Sequence, residues 1–196
     1  MSNLQFDIRE LQRLRQQFDP KDVEKALRWA VDATSRKAAT HISKDIRDTY
    51  AIKAGDIKRR LKIERVRRDA TRALLYTGRR LPLEQFKPGT KQVRVTATSS
   101  TGKRFKTKRR GATVRVRKDK GRQLVKGGWY AKGHILRRAD RSDNKSEPRI
   151  QFGPSIPGMV AHPETIESAQ AMVRRDLPQQ FSDRMDYILN KKAGLA

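Results

Sequence analysis

The sequence predicts an α+β fold, and three observations predict it. A long amphipathic segment follows a helix-start signal at residue 19, short β-branched or alternating runs separated by Gly, Pro and Ser clusters fill the middle, and a second long amphipathic segment closes the chain. Together they predict a long N-terminal helix and a kinked C-terminal helix packed on a small, mostly antiparallel β-sheet or barrel, with an extended basic loop. At 196 residues the chain reads as a single domain over 19–196, preceded by an N-terminal arm over 1–18.

In the arm, Leu4, Ile8, Leu11 and Leu14 recur at helical spacing, which predicts a short amphipathic helix or docking arm. Asp19 can then cap a helix whose first position suits Pro20, and Asp22 complements the positive end of its dipole. From there to about Tyr50, Val23, Leu27, Ala30, Thr34, Ala38, Ile42, Ile46 and Thr49 return every three or four residues and form one stripe that needs covering. Ala33 and Ala39 beside it permit close approach. After a break over Ala51–Gly55, Ile57 and Leu61 stand four apart and predict a short second helix.

The character then changes. Leu74–Thr77, Val93–Thr98, Thr113–Arg117 and His134–Arg138 read as short strands. In Thr113-Val114-Arg115-Val116-Arg117 the alternation puts valines on one face and arginines on the other, giving a half-buried strand with a cationic outer surface. Residues 103–110, with glycines at 102 and 111 and the single aromatic Phe105, predict a mobile hairpin or long loop; Ala139–Glu147 predicts another exposed loop. The stretch from Arg149 to Val160 has prolines and glycines around each apolar group and predicts a rigid extended connector. In His162-Pro163-Glu164 a last helix begins and runs to about Asn190, with Ile166, Ala169, Val173, Leu177, Phe181, Met185 and Ile188 on one face. Pro178 is predicted to kink or interrupt it, and Gly194 to stop it.

Hydrophobic residues make up 35% of the chain, below the roughly 45–50% apolar share of an average domain, so the core is modest. Charge dominates: 47 Lys plus Arg against 21 Asp plus Glu leave a formal +26, a self-repulsion that calls for a polyanionic or acidic partner. Nucleic acid comes first, because each cation placed on a phosphate releases a counterion and adds affinity without sequence specificity. The positive charge concentrates over residues 87–122, where Asp119 is the only acid.

The absence of cysteine excludes disulfides, thiolate zinc sites and cysteine nucleophiles. No uncharged run approaches the roughly 20 residues of a membrane helix, and the first residues lack the apolar core of a signal peptide, so a non-membrane protein made in the cytoplasm is expected. His41, His134 and His162 show no metal spacing, Asp45 and Asp48 suit helix-surface ion pairs, and neither Gly127-Gly128 nor Gly153-Pro154 fits a phosphate loop. No enzyme activity, cofactor or metal is therefore expected.

Three binding features remain. Residues 38–62 have the outline of a helix-turn-helix, with Lys58, Arg59 and Arg60 on the second helix, though a first helix of about thirty residues is long for that motif. Lys103, Arg104, Lys106, Lys108, Arg109 and Arg110, continued by Arg115 and Arg117, read either as a phosphate clamp on DNA or as a solvated run that docks an acidic neighbour. Phe152, Ile156, Pro157 and Met159 read either as a subunit or tail contact or as a stiff strand-to-helix connection within one subunit.

Three blocks carry a resemblance. Ser43–Leu61 (SKDIRDTYAIKAGDIKRRL), Thr77-Gly78-Arg79-Arg80-Leu81-Pro82-Leu83 with Phe86 close behind, and Phe152-Gly153-Pro154-Ser155-Ile156-Pro157-Gly158-Met159 are similar, in this order, to blocks of the prophage minor tail protein Z family. The match spans roughly residues 20–190, its last block is the most specific, and none of the three is catalytic. The basic excursion Lys103–Arg122 is longer and more charged than in a typical member, so no role for it carries over. The resemblance implies a virion protein at the head-proximal end of a long phage tail, present in the host cytoplasm during assembly. It implies a homo-oligomeric ring, hexameric if the family's assembly holds, between tail-tube or terminator proteins and head-tail connector proteins, helping to place the DNA end. The alternative reading is a basic non-specific or regulatory DNA-binding protein.

Overall fold

The computed structural model describes residues 19–65, 71–140, 143 and 145–194. The arm over 1–18 lies outside them. Helices α1 (Pro20–Thr49) and α2 (Ala54–Lys58) are followed by strands β1 (Leu61–Arg65), β2 (Arg72–Tyr76), β3 (Gly89–Thr98), β4 (Arg104–Val114), β5 (Gln123–Leu124), β6 (Gly128–Ala131), β7 (His134–Arg138) and β8 (Pro148–Ile150), then by helices α3 (Ile156–Val160) and α4 (Pro163–Lys192). The chain forms two compact units. One takes the described residues up to Ile46, Gly55–Gly78 and those from Ile156 onward; the other takes Arg47–Ala54 and Arg79–Ser155.

The first unit is built on α1 and α4. At the start of α1 the Asp19 carboxylate accepts the backbone N–H of Lys21 at 3.0 Å, the expected side-chain cap, with Pro20 between them. The predicted stripe is buried from Val23 to Ile46, widened by Ala26, Val31 and Ser35, while Leu27 and Thr49 stay half-covered at its margin. Helix α4 buries Ala169, Val173, Leu177, Phe181, Met185 and Ile188 as its period requires, and Met172 with them. The two helices run antiparallel: Asp22 pairs with Lys192, the Trp29 and Tyr187 rings stand 6.3 Å apart, Lys37 reaches Asp176 at 3.7 Å, and His41 Nε2 lies 2.8 Å from Ser168 Oγ.

Helix α4 runs unbroken through Pro178. Pro178 and Arg174 are both exposed, so the carbonyl that loses its i+4 donor faces water, while Leu177 and Phe181 hold the buried side. His162 contributes no side-chain cap; its backbone carbonyl accepts from Thr165 and Ile166 instead, at 3.0 and 3.2 Å. Gly194 follows the C-cap with φ +72°, the left-handed turn that ends a helix. The antiparallel hairpin β1–β2 (Leu61↔Tyr76 through Arg65↔Arg72) completes the unit. There the Arg72 side chain, 5% exposed, donates to Asp32 of α1, which supplies the partner a buried cation requires.

Helix α2 ends at Lys58, so Leu61, read as helical, opens a strand, and Arg59 and Arg60 lie in the turn between. One and a half turns of helix cannot serve as the recognition element of a helix-turn-helix.

The second unit holds two open three-stranded antiparallel sheets, in the orders β3-β4-β5 and β6-β7-β8, rather than a closed barrel. Strands β6 and β7 turn through Lys132 (φ +49°) and Gly133 (φ +80°), both left-handed as a two-residue hairpin loop demands. The predicted strand Thr113–Arg117 stops at Val114. Beyond it the Arg115 N–H donates to the Phe86 carbonyl, the Val116 carbonyl accepts from Ala51, and Arg117 forms an isolated bridge with Tyr50, so the backbone changes partner instead of continuing the ladder.

Two of the blocks that carry the family resemblance, about 70 residues apart, hydrogen-bond to each other. Gly153 N–H donates to the Leu81 carbonyl (2.7 Å) and Leu83 N–H to the Gln151 carbonyl (2.9 Å), around a bridge between Pro82 and Phe152. Leu81 and Phe86 are wholly buried beside it, and a Cβ on Gly153 would stand 2.9 Å from the Phe86 ring, so only glycine fits. The connector predicted to be extended is so only in its first half. Ile156–Val160 forms α3, because Pro157 already holds the φ of a first helical turn.

Truncating Phe86 to Ala should cost about 3–5 kcal/mol of unfolding free energy in urea titrations, whereas Phe105→Ala, at a ring 50% exposed, should stay within about 0.5 kcal/mol. The Tyr76 hydroxyl is buried without a hydrogen-bond partner among the described residues, and burial pushes its pKa from 10.0 to about 12. Because the folded value is the higher, its contribution is complete below pH 10.0 and lost as pH rises towards about 12. Tyr76→Phe should therefore leave stability at pH 7 unchanged or raise it by up to about 1 kcal/mol, and should remove a titration step near pH 12 from the ultraviolet spectrum.

Candidate nucleic-acid interface

Of the two forms read for this segment, a mobile hairpin or a long loop, the structure has the hairpin, a two-stranded ribbon. Strands β3 and β4 pair one-to-one from Gly89↔Thr113 to Thr98↔Arg104 with no break in register. A five-residue turn closes it: Ser99 N–H donates to the Lys103 carbonyl at 2.8 Å, Gly102 N–H to the Ser99 carbonyl at 3.0 Å, and Gly102 takes φ +80°. At the other end β5 pairs through Thr113↔Leu124 and Val114↔Gln123, and Arg122 Nη1 donates to the Lys87 carbonyl at 3.0 Å. A Cβ on Gly111 would meet Val93 Cγ2 at 2.8 Å and Leu124 Cδ1 at 3.0 Å, so the glycine lets two apolar side chains close over the backbone.

Register sorts the side chains. Because alternate residues of a strand face opposite sides and directly opposed residues share one, Gln92, Arg94, Thr96 and Thr98 lie on the same face as Arg110, Lys108, Lys106 and Arg104. Lys91, Val93, Val95 and Ala97 share the other face with Gly111, Arg109, Thr107 and Phe105. The first face is wholly polar and exposed, with five cations and no acid; on the second, Val93, Val95, Ala97 and Thr107 are half-covered.

Arg94 stands directly across from Lys108, a like-charged pair that destabilises a sheet unless an anion joins it. Among the described residues, none of Arg94, Arg104, Lys106, Lys108 and Arg110 has an acidic partner. Neighbouring cations along β4 are about 6.8 Å apart, closer than the roughly 8 Å screening length at physiological salt, so the repulsion between neighbours is only partly screened along a row about 20 Å long. A phosphate row relieves it, and a two-stranded ribbon is narrow enough to enter a major groove about 12 Å wide.

The other predicted contact residues go elsewhere. Lys103 sits in the turn, Arg109 on the apolar face, and Arg115 is tied inward, with Nη2 donating to the Lys118 carbonyl at 2.7 Å and Nε buried. Arg117 donates to Asp119 at 3.1 Å and lies over the Tyr50 ring at 5.8 Å; that hydrogen bond, with the charge behind it, holds the Asp119 carboxyl below its ordinary value. Of the second group, Ile156 and Met159 are wholly buried in the first unit, Pro157 is half-buried, and Phe152 is 53% exposed in the second. The histidines stay apart: His134 bonds Glu84 at 2.7 Å, His41 faces Ser168, and His162 lies 3.7 Å from Glu164.

No family model, curated protein or solved structure matches this chain. What the ribbon can do therefore follows from its own chemistry: it can neutralise a row of phosphates or carboxylates along one face. Sequence reasoning missed Arg94 as a member of that row. The alternation Gln92-Val93-Arg94-Val95-Thr96 was the available signal, but its partner Lys108 is identified only by the pairing.

Replacing Lys106, Lys108 and Arg110 together by serine should make the dependence of log affinity for duplex DNA on log salt shallower by about 2.7, at about 0.9 per phosphate contact. Arg109→Ser, on the opposite face, should leave the slope unchanged. Equal effects from both would show that face plays no part.

Proposed function

We propose that this chain is a non-enzymatic tail-completion protein of a long-tailed bacteriophage, which binds DNA by its phosphates through the cationic face of the β3–β4 ribbon. The single observation that carries the DNA contact is the row of Arg94, Arg104, Lys106, Lys108 and Arg110 on one exposed face without an acidic partner among the described residues. A row of point charges with alternate threonines holds a backbone without choosing a sequence, which suits the end of a packaged genome better than an operator.

The place in the particle rests on the three sequence blocks that resemble the minor tail protein Z family. In that reading copies form a homo-oligomeric ring, six if the resemblance extends to assembly, between tail-tube or terminator proteins on one side and head-tail connector proteins on the other. A ring of chains at +26 each needs polyanion inside or acidic protein beside it. A strongly cationic lining retards moving DNA, so the ribbon grips the DNA end rather than easing its passage.

The second reading, a basic non-specific or regulatory DNA-binding protein, uses the same ribbon outside any particle. Its operator-reading form through residues 38–62 is disfavoured by the five residues of α2, too short for a recognition helix. Among the described residues no helix is long and apolar enough to cross a membrane.

Electron microscopy of intact particles carrying a labelled copy of this chain separates the two readings. Label at the head-tail junction is the expected result; its absence from the particle would bring the second reading forward.

A further inference from the structure

Between α1 and α4 the first unit carries an open groove of about 460 Å³. Met172, 6% exposed, lies at its base. Four cations line it, Arg36, Lys37 and Lys44 from α1 and Arg175 from α4, against one carboxylate, Asp176. That carboxylate stays ionised: the hydrogen bond from Arg175 Nε at 2.8 Å, and the charges of Arg175 and Lys37, hold its pKa below the ordinary value. Even so the groove's lysines and arginines outnumber its carboxylate by three, four cations less one acid.

Two of the cations are uncommitted. Lys37 and Arg175 share Asp176, whereas Arg36 and Lys44 have no acidic partner among the described residues. They lie on one helix face eight residues apart, about 12 Å along the axis. Arg175 enters from the facing helix with its stem fixed by its bond to Asp176. An oxyanion seated over Met172 can be met from two helices, by planar guanidinium forks that suit phosphate oxygens and by ammonium groups that add charge. The antiparallel packing of α1 on α4 sets the backbone positions from which these exposed side chains reach the groove.

We propose that this groove is a phosphate-binding site, distinct from the ribbon. The phosphate is either a backbone phosphate of nucleic acid or the phosphate of a small molecule, and the site stands whether or not the ribbon binds DNA.

The test uses the full chain and the variant Arg36→Ser/Lys44→Ser, in which both replaced side chains are exposed and the helices keep their buried faces. Calorimetric titration with inorganic pyrophosphate and DNA binding across salt concentrations are measured on both, with circular dichroism as the folding control and the ribbon variant as the control for diffuse charge. A backbone phosphate predicts a DNA salt slope shallower by about 1–2 in the groove variant. A small-molecule phosphate predicts an unchanged slope and a pyrophosphate affinity at least tenfold weaker, which the ribbon variant does not reproduce. No difference between wild type and groove variant on either probe overturns the proposal, as does a loss of pyrophosphate affinity equal in the ribbon variant with no change of DNA slope in the groove variant.

Discussion

The unequal placement of a scarce resource, negative charge, governs this molecule. With fewer than half as many acids as bases, the chain cannot neutralise itself, and where the carboxylates go decides which parts hold together unaided. Many are spent on the helical unit. Asp22 meets Lys192, Asp32 meets the buried Arg72, and Asp176 meets both Lys37 and Arg175, so the two long helices and the β1–β2 hairpin are pinned at several points along their length. Most of these pairs are solvent-exposed and individually weak. They set alignment, while the buried stripes supply the stability.

Over the thirty-four residues between Glu84 and Asp119 there is no acid at all, and this is the stretch that makes the ribbon. Its order comes from the backbone ladder, from Gly111 letting Val93 and Leu124 approach, and from anchoring by Arg122 and β5 at its base. The same charges keep its edges from pairing with other chains, since exposed lysines and arginines are a common way to blunt an edge strand. A cationic face with partial self-repulsion is thus at once a guard against aggregation and a surface that gains by meeting an anion.

Cations serve differently in the two units. On the ribbon they stand in a row on a narrow support, which fits a linear polyanion; in the groove between α1 and α4 they surround a concavity, which fits a compact one. Three arginines outside both places are occupied in structure: Arg72 is buried against Asp32, Arg115 closes on the Lys118 carbonyl, and Arg138 covers the Trp129 ring at 5.8 Å. The pairing of the Leu81–Leu83 and Gln151–Gly153 segments likewise gives two of the resembling blocks a role inside the subunit, with Phe152 left exposed beside it.

The sequence alone determined the charge, the lack of thiol chemistry and the two long helices, because helix capping and a period of 3.6 are local: Asp19 and Pro20 mark the start, and buried residues from Val23 to Ile46 and from Ala169 to Ile188 follow at the predicted spacing. It misplaced what depends on distant partners. Leu61 continues a helical spacing but pairs with Tyr76 in a strand; Arg115 alternates as a surface residue but its backbone is drawn to Phe86; Pro178, read as kinking or interrupting its helix, does not interrupt it, because it faces water. Residues 104–110 hold one apolar side chain, Phe105, so no pattern of burial reveals them as a strand until β3 lies alongside. Which cations share a face was likewise a decision of tertiary structure, since a one-residue slip between β3 and β4 would exchange Arg109 for its neighbours, and only the ladder sets that register.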